Sequence, residues 1–162
     1  MFAPRRLVEA LAAEGVGDVI LGGLALTMHG STRATFDLDI CYDRERSNLR
    51  RLASALAPLK PRLRDFPPEQ PFFFDEATLR SGLNFTMRCD AGDIDLLGEV
   101  PGLGAYADAL AASQEEVLYD IPVRILTLDG LERCKRAAGR AKDLLDLETI
   151  AALRAEGAPL RR

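Results

Sequence analysis

The sequence has 162 residues, of which 48% are hydrophobic and 28% are charged, as is typical of a globular domain and not of a disordered or fibrous chain. Its 21 basic and 25 acidic residues give a net charge of −4, which weighs against a protein that coats nucleic acid with a basic surface. One histidine and three separated cysteines exclude a zinc site built from local His/Cys pairs, and they predict a reducing, cytoplasmic location. Since no apolar run reaches the roughly 20 residues that cross a bilayer, no membrane partner is expected.

The first third of the chain predicts alternating helices and strands. Apolar residues at helical spacing predict the helices, and period-two alternation or a short apolar run predicts the strands. The predicted elements are, in order, a helix over 4–12, a strand over 18–21, a turn at Gly22 and Gly23, a short helix over 24–29, a strand over 36–41 and a helix over about 47–57.

The rest of the chain predicts further strands and a helical end. The predicted elements are short strands over 72–74, 83–87 and 93–97, a helix over 106–114, a strand over 123–126, a helix over about 128–138 and a last helix after Gly139. The apolar side of the last helix is predicted to carry Leu144, Leu147, Ile150, Ala151 and Leu153. The sequence therefore predicts an α/β (α+β) fold, with helices packed on a mixed sheet and a C-terminal helical hairpin over about 127–156. We expect residues 1–162 to form one domain.

Two aspartates share one face of the strand predicted over 36–41. Asp37 and Asp39 are two residues apart, so both carboxylates project to the same side while Leu38 points to the other. Two adjacent negative charges repel each other, and a divalent cation reverses that repulsion; oxygen ligands favour Mg²⁺ or Mn²⁺. The alternative is a pair of solvated aspartates on an edge strand.

Two other features strengthen the metal interpretation. Gly22 and Gly23 stand between a predicted strand and a helix, where the backbone can approach a phosphate closely. Asp93 and Asp95 repeat the two-residue spacing on a later strand. If that strand lies beside the first, three carboxylates converge, as metal-assisted phosphoryl transfer requires. The alternatives are a plain tight turn at the glycines and a turn residue at Asp93.

Two runs of the sequence resemble a known family. The run GGLALTMHGSTRATFDLDI, from Gly22 to Ile40, resembles the signature of the DNA polymerase beta-like nucleotidyltransferase superfamily. It is most similar to small bacterial members associated with abortive-infection and toxin–antitoxin loci. The run KRAAGRAKDLLDL, from Lys135 to Leu147, is similar to the ending of those proteins. The resemblance implies a nucleotidyltransferase-like fold.

The resemblance also implies roles for acidic residues. Asp37 and Asp39 would be catalytic metal ligands for Mg²⁺ or Mn²⁺. Asp95 would be the third catalytic carboxylate, a metal ligand that also accepts the proton of the attacking hydroxyl. Asp93 is the competing choice, and Asp95 is preferred because the apolar Leu96 follows it, as in a buried strand.

Glycines and basic residues would bind the nucleotide. Gly22 and Gly23 would cradle the phosphates of a nucleoside triphosphate. Many relatives have a serine at the second turn position, so here a hydroxyl would have to come from elsewhere; the candidates are Thr27, Ser31 and Thr35. Arg33 and Lys135 are the preferred cations for the triphosphate, ahead of Arg140 and Lys142. For each of these basic residues, the alternative is a solvated charged face.

The resulting hypothesis is a magnesium-dependent nucleotidyltransferase. It would transfer a nucleoside monophosphate from a nucleoside triphosphate to an acceptor hydroxyl on an RNA end such as tRNA, a protein or a small molecule. A cognate toxin or antitoxin, or a phage-defence pair, is implied as a partner. The alternative is a catalytically inactive nucleotide- or partner-binding module of the same fold. A small-molecule modifier would be expected to show an acidic acceptor cleft, for which Asp75, Glu76 and Glu99 are candidates.

Overall fold

The computed structural model describes residues 1–157, and within that range it confirms the predicted mixed sheet with packed helices. Residues 158–162 of the expected single domain lie outside the described residues. The helices are α1 (Pro4–Ala13), α2 (Gly22–Met28), α3 (Arg46–Leu56), α4 (Glu76–Ser81), α5 (Tyr106–Ala111), α6 (Leu128–Ala138) and α7 (Ala141–Glu156). The strands are β1 (Asp18–Leu21), β2 (Asp37–Tyr42), β3 (Arg62–Leu63), β4 (Asn84–Cys89), β5 (Gly92–Leu97), β6 (Glu99–Val100), β7 (Gly104–Ala105), β8 (Ser113–Leu118) and β9 (Ile121–Leu126).

Seven of these strands form one sheet in the order β3-β4-β5-β2-β1-β9-β8, while β6 and β7 form a separate two-stranded ribbon. The pairs β2–β5 and β1–β9 are parallel, and the other neighbours are antiparallel. The parallel pairing matters most for the site, because it places β5 directly beside β2 although some 50 residues separate them in the chain.

Alternation along β2 and β5 separates an apolar face from an acidic one. Leu38 and Ile40 on β2 and Ile94 and Leu96 on β5 are completely buried in the hydrophobic core. Because successive side chains of a strand point to opposite faces, the aspartates between these residues project to the other side. Burial of the apolar face therefore fixes which way the acidic side chains point.

The predicted C-terminal helical hairpin is confirmed, since α6 and α7 pack against each other. The Thr127 hydroxyl accepts a hydrogen bond from the Gly130 amide at 3.1 Å, so Thr127 is the expected N-cap of α6. Gly139 ends the helix in the left-handed conformation, with φ of 63°. Within residues 1–157, none of the helices is long and apolar enough to span a membrane.

Two predicted elements differ from the structure. The strand predicted over 72–74 is wrong: this segment is irregular, and it follows Pro71, which has no amide to donate to a neighbouring strand. The helix predicted over 106–114 ends at Ala111. Residues 113 and 114 instead begin β8, which pairs with β9 at the edge of the sheet.

Candidate functional site

Three carboxylates converge on the acidic face of the sheet. The parallel register sets Asp37 opposite Asp93 and Asp39 opposite Asp95. One carboxylate oxygen from each of Asp37, Asp39 and Asp95 lies within 4.8 Å of the corresponding oxygens of the other two. All three side chains are half-buried. An acidic cluster of this kind is suited to hold a divalent cation, whose charge offsets the mutual repulsion.

Burial and like charges shift the acidity of this cluster. Burial, followed by the charges of Asp37 and Asp95, raises the pKa of Asp39 to about 7, although Lys135 lowers it in part. Burial also raises the pKa of Asp95, against the opposing effect of the Arg64 guanidinium. The metal-free cluster therefore holds its negative charge at a free-energy cost near neutral pH.

Asp93, the competing candidate for the third carboxylate, has other partners. Arg88 donates to both of its carboxylate oxygens, from Nε to Oδ1 at 2.8 Å and from Nη2 to Oδ2 at 3.2 Å. These hydrogen bonds hold the pKa of Asp93 below its usual value. Among the described residues, Asp93 is not part of the three-carboxylate cluster.

The glycine turn lies directly against the acidic cluster. Gly22 is the first residue of α2 and has φ of 66°, and a Cβ at this position would clash with the carboxylate of Asp39. A Cβ on Gly23 would lie 2.6 Å from the hydroxyl oxygen of Thr35. Both positions thus need glycine for space, and Gly22 also needs it for its backbone conformation.

The candidate hydroxyls differ in their surroundings. The Thr27 hydroxyl donates to the Gly23 carbonyl at 3.0 Å, and the Ser31 hydroxyl accepts from the Arg33 amide at 3.2 Å. The Thr35 hydroxyl lies beside Gly23 and is 3.2 Å from the carbonyl oxygen of Asp37. Of the three, Thr35 is therefore the hydroxyl that borders both the glycine turn and the acidic cluster.

An ion-pair network lies on the opposite wall of the site. Lys135 Nζ is 2.9 Å from Asp146 Oδ2 and 3.4 Å from Asp143 Oδ1. Arg33 also pairs with Asp146, and Arg140 Nε donates to Asp143 Oδ2 at 2.7 Å. Burial acts to raise the pKa of Asp143, but the hydrogen bonds of Arg140 prevail and lower it to about 2. The network joins the segment before β2 to both C-terminal helices.

This network explains why the predicted packing face of α7 is partly wrong. Leu144 was expected on the apolar side, yet its side chain is 58% exposed, while Asp143 is completely buried. Ile150 and Leu153 are buried as expected, Leu147 is half-buried, and Ala151 is exposed. The helix turns its acidic residues inward because Lys135 and Arg140 are there to pair with them.

The acidic cluster, the glycine turn and the network line one cleft of about 670 Å³. The apolar part of its wall includes Phe36, whose side chain is 76% exposed, and Val100. Lys142 also lines the cleft and forms no ion pair within residues 1–157. The structure thus brings the carboxylates, the glycines and the predicted basic residues to one place.

The acidic residues suggested for an acceptor cleft do not lie there. Asp75 caps the N-terminus of α4, and Glu76 pairs with Arg46 at 3.3 Å and Arg80 at 3.5 Å. Glu99, on β6, is exposed. None of these three carboxylates lines the described cleft.

One residue in contact with the acidic cluster carries no recognisable sequence signal: Arg64 directly follows β3 and contacts Asp95. The residue directly precedes the least regular part of the chain, and 31 positions separate it from its partner. No local spacing or motif marks such a contact, because only the pairing of β3, β4 and β5 brings the two residues together.

The fold is similar to that of solved nucleotidyltransferase structures. The Thermotoga maritima protein TM1012, assigned as a nucleotidyltransferase, matches with a TM-score of 0.58 and 15% identity, over 91% of this chain and 93% of that one. The structure of ANT(2")-Ia in complex with adenylyl-2"-tobramycin matches with a TM-score of 0.60 and 16% identity, over 96% and 97%. A solution structure of the antibiotic-resistance factor ANT(2")-Ia matches with a TM-score of 0.55 and 16% identity, over 94% of this chain and 88% of that one. Neither a protein-family model nor a curated protein matches the sequence. The expected nucleotidyltransferase-like fold is thereby confirmed.

Proposed function

We propose that the chain is a divalent-metal-dependent nucleotidyltransferase that moves a nucleoside monophosphate from a nucleoside triphosphate to an acceptor hydroxyl. One observation carries the proposal: Asp37, Asp39 and Asp95 converge beside the Gly22 turn. That convergence occurs on a fold that nucleotidyltransferases share. Metal-assisted phosphoryl transfer needs such a set of carboxylates next to a place where phosphates can approach the backbone.

The three carboxylates fit Mg²⁺ or Mn²⁺. All the donor atoms are oxygens, which these hard cations prefer, and within the described residues Arg64 is the one cation in an ion pair with the three carboxylates. In the proposal, Asp37, Asp39 and Asp95 hold the cation. When bound, it neutralises charge on the carboxylates and on the triphosphate.

The surrounding residues are proposed to hold the triphosphate. Gly22 and Gly23 let it approach the backbone, and the Thr35 hydroxyl supplies the contact that a serine makes at the second turn position of many relatives. Lys142 is the cation that is not engaged in an ion pair within the described chain, and Arg33 borders the same cleft. Lys135 supports this wall through its pairs with the α7 aspartates.

The proposed reaction exchanges one phosphorus–oxygen bond for another. The acceptor oxygen bonds to the α-phosphorus while the bond from that phosphorus to the bridging oxygen of the β-phosphate breaks. Pyrophosphate leaves with the electron pair of the broken bond. The acceptor's proton passes to the carboxylate of Asp95, whose half-buried position at the cleft makes it the proposed base.

A small hydroxylated molecule is the first acceptor to test. ANT(2")-Ia is in complex with adenylyl-2"-tobramycin, an adenylyl derivative of a small molecule, and that protein resembles this chain over nearly the full length of both. RNA ends and protein hydroxyls are the other acceptors to test. Because the suggested acceptor carboxylates Asp75 and Glu76 are engaged elsewhere, polycationic and neutral acceptors both belong in the panel.

The decisive experiment uses each α-³²P-labelled nucleoside triphosphate with Mg²⁺ and, in turn, a cell extract, total RNA and a panel of hydroxylated small molecules. The expected result is a labelled acceptor and released pyrophosphate, both lost on Asp95→Asn. Asp93→Asn is the matched control, since it removes a neighbouring aspartate outside the cluster and is expected to retain activity. Nucleotide binding without any transfer would instead support the inactive binding module.

The resemblance of the sequence to abortive-infection and toxin–antitoxin proteins supports a proposed role in such a pair. A cytoplasmic enzyme that modifies a cellular acceptor would slow growth when it is produced without its partner. Induced expression in a bacterial host tests this: growth arrest with the native chain and normal growth with Asp37→Asn support the role. Equal growth of both strains contradicts it.

A further inference from the structure

Arg64 lies behind the acidic cluster and holds one of its members. Its Nη2 donates to Asp95 Oδ1 at 2.5 Å and lies 3.4 Å from the Met87 carbonyl oxygen, while its Nε is 3.4 Å from Asp93 Oδ2. The backbone amide of Arg64 donates to the Thr86 carbonyl at 2.9 Å, which extends the β3–β4 pairing by one residue. The guanidinium therefore makes one short hydrogen bond, to Asp95, and two longer contacts, and its side chain is only 24% exposed.

A carboxylate held in this way has two unequal oxygens. Hydrogen bonds between a guanidinium and a carboxylate are among the strongest in proteins, so Oδ1 of Asp95 is occupied by Arg64. Oδ2 accepts no hydrogen bond from Arg64, so this oxygen is free of that residue. Without Arg64, the carboxylate could rotate and offer both oxygens to a cation.

We propose that Arg64 is a positioning residue that holds Oδ1 of Asp95 so that a single oxygen serves the site. The inference rests on the proposed function for its consequence in catalysis, although not for its effect on metal binding. A cation close to the acidic cluster also opposes the entry of a second cation. Arg64 thus fixes the orientation of the Asp95 carboxylate and at the same time lowers the affinity of the cluster for a metal ion.

Arg88 provides a matched control within the same sheet. It pairs with Asp93 as Arg64 pairs with Asp95, it lies on the neighbouring strand β4, and its side chain is 50% exposed. Its contacts are with an aspartate outside the three-carboxylate cluster. Removing Arg88 removes one positive charge from the same region of the protein without releasing Asp95.

Metal binding tests the proposal without any nucleotide or acceptor. Dissociation constants for Mn²⁺, measured by electron paramagnetic resonance, are compared for the native chain, Arg64→Met, Asp95→Asn, the double variant and Arg88→Met. Arg64→Met is expected to bind Mn²⁺ about 3- to 10-fold more tightly, since a nearby cation is gone and a second oxygen is free. In the Asp95→Asn background the same change is expected to have a clearly smaller effect, because the loss of the nearby positive charge remains but no Asp95 carboxylate is released. Arg88→Met is expected to bind as the native chain does.

Kinetics supply the second measurement. Arg64→Met is expected to lower kcat by about 10- to 100-fold while the KM for the nucleoside triphosphate stays within about 2-fold, and Arg64→Lys recovers part of the loss. The proposal is overturned if Arg64→Met binds Mn²⁺ equally or more weakly, or if its effect is as large in the Asp95→Asn background as in the native chain. If Arg64→Met does not fold, Arg64→Lys takes its place, with smaller changes expected in the same directions. A native chain that transfers no nucleotide refutes the proposed function, whereas the Mn²⁺ comparison still decides the role of Arg64.

Discussion

Replacing Asp39 with Asn is expected to stabilise the metal-free protein while it removes a proposed metal ligand. Burial, followed by the charges of Asp37 and Asp95, raises the pKa of Asp39 from 3.8 to about 7. At 1.36 kcal/mol per pH unit, keeping this carboxylate ionised in the folded state costs about 4 kcal/mol above pH 7. Because the side chain keeps some contact with solvent, we expect about 1–3 kcal/mol of this cost to be recovered as stability in Asp39→Asn.

The pH dependence of this gain has a defined sign. The folded protein binds a proton at Asp39 below about pH 7, whereas the unfolded chain binds it only below about pH 4. The native chain therefore becomes more stable, relative to Asp39→Asn, as the pH falls from 8 to 5, and the advantage of the variant shrinks.

Urea denaturation at pH 8 and pH 5, with a chelator present, measures both effects. Asp93→Asn is the matched control: its pKa is lowered by the hydrogen bonds of Arg88, so this variant is expected to lose stability at pH 8. The reasoning is refuted if Asp39→Asn is no more stable than the native chain at pH 8, or if its advantage is as large at pH 5.

Three further substitutions test other parts of the structure. Gly22→Ala is expected to lower the free energy of unfolding by about 2 kcal/mol or more, because φ is 66° at this position and the new Cβ would clash with the Asp39 carboxylate. The same clash is expected to abolish Mn²⁺ binding. Urea denaturation measures the first effect and electron paramagnetic resonance the second. Lys135→Met leaves both aspartates of the α7 network without this partner and is expected to cost about 3 kcal/mol, measured by urea denaturation. Leu144→Ser changes a side chain that is 58% exposed, so a change within about 0.5 kcal/mol is expected in the same measurement.

The sequence predicted the centre of the sheet well because the pattern there is set by burial. Leu38 and Ile40 must face the core, so Asp37 and Asp39 have to face the other way, and a period-two pattern is enough to show it. The convergence of three carboxylates depends on β5 lying beside β2, and no local pattern specifies which strands become neighbours. The observed register pairs the two strands and sets Asp39 opposite Asp95.

The parts that sequence patterns did not predict depend on partners distant in the chain. The edge strand β8 (Ser113–Leu118) begins with four consecutive polar residues, so it lacks the apolar alternation by which strands are recognised. Asp143 is completely buried because Lys135 and Arg140 pair with it. A hydropathy pattern predicts instead that the face of α7 with Asp143 is exposed to solvent. The contact between Arg64 and Asp95 likewise exists only after the strands have paired.

The negative charges of the two sets of acidic residues in the cleft are neutralised in different ways. This difference determines how a bound cation changes the stability of the folded protein. On α7, Asp143 and Asp146 already form ion pairs with Lys135, Arg140 and Arg33, so their negative charge needs no ligand to offset it. In the three-carboxylate cluster on β2 and β5, Arg64 is the only cation in an ion pair within the described residues, and the buried leucines and isoleucines of both strands hold the two strands side by side. A cation bound there offsets the repulsion among these carboxylates. Because such a cation binds the folded chain and not the unfolded one, Mg²⁺ is expected to raise Tm in proportion to the logarithm of its concentration, and an acidic cluster that holds no cation would leave Tm unchanged.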